Sequence, residues 1–107
     1  MKKNDEVYII DILRAIDVVL NNYVKNLTFE EFSGDKKTQD AVIRQIAIIG
    51  EAMGKLSQEF INNHKNIPVR EAIAMRNVLV HDYDYVDIKE VWKTLEKDLP
   101  ILSNLLK

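Results

Sequence analysis

The 107-residue sequence contains no cysteine, which excludes disulfide scaffolds, thiolate zinc sites and cysteine nucleophiles. Glycine and proline are scarce, at 3 and 2 residues, so the chain is neither low-complexity nor collagen-like. No apolar run approaches the roughly 18 residues of a membrane span. The N-terminal stretch carries charge throughout, from Lys2 and Lys3 to Arg14 and Asp17, unlike a signal peptide. A cytoplasmic location without a membrane partner is the expectation. An excess of one charge is also missing, since 15 Lys and Arg against 17 Asp and Glu leave a net charge of −2. Binding nucleic acid blindly through many phosphate contacts is therefore disfavoured, while a local basic cleft stays open.

What is present is apolar spacing of helical period over nearly the whole length. At 47% apolar residues, one domain spanning residues 1–107 can bury its own core without a metal or a cross-link. Ile9, Ile12, Leu13, Ile16, Val19, Leu20 and Tyr23 recur at three- and four-residue steps, predicting a helix from Asn4 to Val24. Thr28 with Glu31 resembles a capping box that opens a short helix. A second long helix is expected from Thr38 to Leu56, on the seam Val42, Ile46, Ile49, Met53 and Leu56. Ser57 to Asn63 reads as a further turn or two, and Pro68 fits the first turn of the next helix. A helix from Asp87 to Asp98 and a last segment from Ile101 to Leu106, opened by Pro100, complete the chain. No β-pattern stands against these. The expected class is all-α: an antiparallel bundle of four main helices with short ones added, dimerised through helices.

The unusual segment follows Pro68. Counting by sevens from Val69 places Arg76 in an otherwise apolar stripe, where a fixed charge is costly without a partner. Asn77 and His81 stand four residues apart and share a face, and Tyr83 follows closely. Spacing alone also suits a bland account. A histidine near a helix C-terminus is favoured by the dipole, and an arginine can extend along an apolar face to water. His64 sits in a polar loop and reads as a surface residue, and the two histidines form no metal signature. Trp92, at helical spacing, reads as core.

The order Arg76-Asn77, then His81, Asp82 and Tyr83, written Arg-x4-His-x-Tyr, resembles the signature of HEPN domains and in particular their HepT-like toxin branch. The likeness extends through Lys37-Thr38-Gln39-Asp40-Ala41-Val42-Ile43-Arg44, Ile49-Gly50-Glu51-Ala52, Ile67-Pro68 and Trp92. It departs at Val69, where many relatives have Trp, and at Asp84-Tyr85, where an aromatic and a glycine are commoner.

The resemblance implies an all-helical homodimer whose two motifs converge in a cleft. It further implies a metal-independent endoribonuclease without cofactor, cutting tRNA or mRNA as the toxin of a toxin–antitoxin pair. The implied partner is an MNT-type nucleotidyltransferase antitoxin that transfers AMP to Tyr83. The implied catalytic residues are Arg76, Asn77 and His81, with Arg44 and Lys37 as further RNA- or nucleotide-binding positions. The residue chemistry is compatible. Histidine titrates nearest neutrality of all side chains, and a guanidinium holds two phosphate oxygens at once. The alternative is a non-catalytic nucleotide- or partner-binding subunit of a nucleotidyltransferase complex. A plain dimerisation domain is a third reading.

Overall fold

A computed structural model describes residues 3–82, 84 and 86–107, and no strand occurs among them. Capping chemistry sets several helix starts. Thr28 and Glu31 exchange side-chain and backbone bonds in a full capping box before α2, Phe29–Ser33. The Asp35 carboxylate accepts from the Thr38 backbone at 3.0 Å and opens α3, Lys36–Gly54. Ser57 accepts from Phe60 N–H at 3.1 Å and begins α4, Gln58–Asn63. Asp87 accepts from Lys89 N–H at 2.9 Å before α6, Ile88–Lys93. The remaining helices are α1, Lys3–Val18, α5, Val69–His81, and α7, Leu99–Leu106.

Two helices run on through wide, π-type turns. Val19–Tyr23 continues α1, with Val24 N–H reaching back five residues to Val19 O at 3.0 Å. Thr94–Asp98 joins α6 to α7, so residues 88–106 form one rod and not the two separate helices expected. Pro100 explains the joint. Its ring removes a helical bond and crowds the carbonyl four residues back, a conflict that a widened turn relieves. Smaller differences occur elsewhere. Asn4 lies inside α1, and the second long helix runs 36–54, not 38–56. Pro68 precedes α5 instead of entering it.

Helix α3 is central, packed by α1 on one side and α5 on the other, while α7 lies on α1. The core joins Ile12, Ile16 and Val19 to Val42, Ile46, Ile49 and Met53, closed by Leu95, Leu99 and Leu102. Trp92 is half-buried against Phe29 and Phe32, its ring 6.0 and 5.1 Å from theirs. The result is the expected antiparallel bundle of four main helices.

Asp5 fixes the direction of α1 on α3. Its carboxylate is 1% exposed and accepts from Ser57 N–H at 2.8 Å and from Ser57 Oγ–H at 2.7 Å. The start of α1 is thereby tied to the turn that ends α3. Asp5→Ala removes both acceptors and should lower unfolding free energy by about 1–3 kcal/mol, read by urea titration. Asp35 supplies a pH signature. The Thr38 hydroxyl, then the Thr38 backbone N–H, hold its carboxyl below the usual range. A lowered folded-state pKa stabilises above the unfolded value and loses that contribution as pH falls through the folded one. The stability gap between wild type and Asp35→Ala should therefore be full near neutrality and close in strong acid.

Candidate active site

The approach to α5 is set by its first residues. Val69 N–H donates to Ile67 O at 2.9 Å around Pro68, and Ala72 N–H donates to Pro68 O at 3.1 Å. At the other end Asp82 N–H bonds Val78 O at 2.9 Å, leaving His81 as the last helical residue. The imidazole thus stands at the C-terminal end of α5.

Between these ends, α5 crosses α3 at unusually short range. A Cβ built on the buried Gly50 would lie 2.4 Å from Arg76 Cβ and 2.6 Å from Ala72 O. Only a glycine fits there, and the Arg76 stem lies directly over it. The half-buried Arg76 then turns its guanidinium along the helix, where Nη1 donates to Asn77 Oδ1 at 3.1 Å. Its Nε is buried without a hydrogen-bond partner. Orphaned buried donors are rare and cost about 1–3 kcal/mol.

Asn77 and His81 are exposed and share a face, one turn apart. At 100° per residue, Arg76 and His81 project roughly 140° apart around the axis, with Asn77 between them. One chain therefore brings Arg76 to Asn77 and Asn77 towards His81, but does not set the guanidinium and imidazole on one face. Tyr83 and Tyr85 lie outside the described residues. Arg44 and Lys37 are exposed on α3, six and thirteen residues before Gly50. At 1.5 Å per residue they stand roughly 9 and 20 Å along the helix from the Arg76 crossing, so one chain does not gather them there. His64 is exposed, stacked on Phe60 with ring centres 4.1 Å apart, and Nδ1–H donates to Phe60 O at 2.9 Å. Among the described residues no three His, Asp or Glu side chains gather as a metal site, and no helix is long and apolar enough to cross a membrane.

Gly50 is the residue whose role the spacing missed. Glycine inside a helix costs about 1 kcal/mol against alanine, so an interior glycine in an apolar seam signals a close neighbour.

A family model, described as ribonuclease HepT-like, matches residues 9–107. The chain belongs to the HepT-like family. Over 96% of its length it is 42% identical to a "Probable ribonuclease HepT" of Thermococcus cleftensis, covering 93% of that protein. A Caldanaerobacter subterraneus protein, provisionally named an RNase, is 33% identical over 98% of this chain and 93% of its own. A longer Methanocaldococcus jannaschii protein, named a gamma-glutamylcyclotransferase and provisionally an RNase, is 39% identical, with this HepT-like chain spanning 46% of it. No solved structure matches.

Two substitutions check the geometry. Gly50→Ala should destabilise the HepT-like fold by about 1–3 kcal/mol through overpacking, despite alanine's better helix propensity. Arg76→Met keeps the buried stem and deletes the orphaned donor, so thermal unfolding should show stability held or raised by about 1 kcal/mol.

Proposed function

We propose that this HepT-like protein is a metal-independent endoribonuclease and the toxin of a toxin–antitoxin pair. The observation that carries the reading is Arg76. The fold keeps a permanent cation half-buried, with an unpaired Nε, at the close crossing of α5 over Gly50 of α3. Such an arrangement works against stability and is accounted for by a role with an anion. Membership of a ribonuclease-like family supports reading that anion as the RNA phosphate.

The reaction suited to these residues is internal transfer. The RNA 2′-oxygen attacks the adjacent phosphorus as the bond from phosphorus to the 5′-oxygen breaks. One imidazole takes the 2′-hydroxyl proton and an imidazolium returns a proton to the leaving 5′-oxygen, giving a 2′,3′-cyclic phosphate. Arg76 stabilises the added charge on the phosphorane, and Asn77 orients the guanidinium through its 3.1 Å bond. His81 of a single chain cannot fill both proton roles at once. A homodimer that brings two motifs together supplies the second histidine and sets Arg76 of one protomer near His81 of its partner. Arg44 and Lys37 then serve as outer contacts to the RNA, tRNA or mRNA, drawn in by their charge alone.

Regulation follows the same electrostatics. AMP transferred to Tyr83 by a nucleotidyltransferase antitoxin adds a phosphate two residues along the chain from His81, a negative charge that competes with RNA phosphate for Arg76.

The test is cleavage of tRNA and total RNA in EDTA by unmodified protein. Wild type should leave 2′,3′-cyclic ends, while His81→Ala and Arg76→Ala each lose about 10²-fold or more. Asn77→Ala should lose less. Inactive wild type with a bare Tyr83, confirmed by mass spectrometry, would instead support the nucleotide- or partner-binding subunit. Tyr83→Phe should stay active in the presence of antitoxin and ATP.

A further inference from the structure

Beside the Gly50 crossing stands a carboxylate with no part in the proposed reaction. Glu51 follows Gly50 on α3, is exposed, and has no hydrogen bond or ion pair among the described residues. Helices α3 and α5 run antiparallel and face each other across Gly50 and Arg76, so equal steps forward along each turn to the same flank. One step takes α3 to Glu51 and α5 to Asn77, each roughly 100° round. Gly54 and Ile73 lie roughly 40° and 60° round in the same sense, and they meet there, 3.6 Å from a Cβ on Gly54. The Arg76 guanidinium is drawn to this flank too, because Nη1 donates to Asn77 Oδ1 at 3.1 Å.

With the Arg76 stem seated on Gly50, and consecutive Cα atoms about 3.8 Å apart, the Cβ atoms of Glu51 and Arg76 stand roughly 7 Å from each other. The other cations near this flank are engaged or farther off. Lys55, one turn past Glu51, holds its Nζ 5.9 Å from the centre of the Tyr8 ring. Arg44 and Arg70 each stand roughly 9 Å along their helices from the crossing. A half-buried guanidinium with an unpaired Nε thus has a carboxylate within reach and does not bind it.

We infer that Glu51 is a specificity-determining residue of the Arg76 site. It biases the site towards the singly charged phosphodiesters inside an RNA strand, and against the doubly charged phosphates of strand ends and free nucleotides. The inference rests on the reading of Arg76 as a phosphate site. A phosphate monoester carries close to two negative charges near neutrality, and a diester carries one. The guanidinium fork offers both the same two hydrogen bonds, while repulsion from Glu51 counts twice for the monoester. At roughly 7 Å in dilute salt, that repulsion weakens binding about threefold for each phosphate charge. Glu51 stays outside the chemistry itself and selects which phosphate Arg76 keeps.

The test titrates dimethyl phosphate, a diester, and methyl phosphate, a monoester, into the protein at about pH 8 in dilute salt, where the monoester holds its second charge. Binding is read from the Asn77 amide shift. In Glu51→Gln, methyl phosphate should bind about ninefold tighter than to wild type and dimethyl phosphate about threefold, moving the preference about threefold towards the monoester. Glu51→Asp keeps the charge and should keep the wild-type preference, as should Glu59→Gln on the exposed side of α4. Raising salt to about 0.5 M should shrink the difference between Glu51→Gln and wild type. Equal gains for the two probes, no gain, or a Glu51→Asp that behaves like Glu51→Gln would each overturn the inference and leave Arg76 as a phosphate site. Binding unchanged in Arg76→Met, or no binding of either probe to any of these proteins, would instead overturn the reading of Arg76, and this inference with it.

Discussion

The structure depends on one close approach, that of α5 onto Gly50 of α3. Here backbone lies on backbone, and a single added carbon would collide with Ala72 O and Arg76 Cβ. That contact fixes the height and rotation of α5 at once. It therefore fixes where Arg76 emerges, and the rest of the motif follows by helical geometry.

Much of the fold was legible because it rests on local rules. The capping box at Thr28 and Glu31 and the Asp87 cap were visible as residue types at fixed offsets, and both form. The seam of Val42, Ile46, Ile49 and Met53 needed only its period, and all four are core. Helix junctions were harder. Pro100 reads as a start, because proline is welcome in a first turn, yet here a wide turn carries the helix through it. Asp5 reads as an ordinary acidic first-turn residue. Its tie to Ser57 spans 52 positions, and no local pattern can reveal a partner so distant.

The candidate site divides in the same way. Arg76, Asn77 and His81 stood out as an odd cation and a shared face, and the family likeness gave them a setting. What spacing could not show is that Arg76 and His81 diverge around the axis of a single helix. Nor could it show that Arg76 is left with an unpaired nitrogen, since that depends on which atoms α3 places around it. The proposed reaction, with its two proton roles, is therefore argued from two copies of the motif and not from the geometry of one.

The wide turn at Thr94–Asp98 ties chain length to composition. It accommodates one residue more than an α-turn would, and so offsets a rotation of roughly 100° for everything that follows. Drawn as a plain helix, the same sequence would swing Leu99 and Leu102 out of the core and present Asp98 and Ile101 in their place. Deleting a single residue between 94 and 98 would therefore force a new register on the whole C-terminal helix, however conservative the loss looks in the sequence.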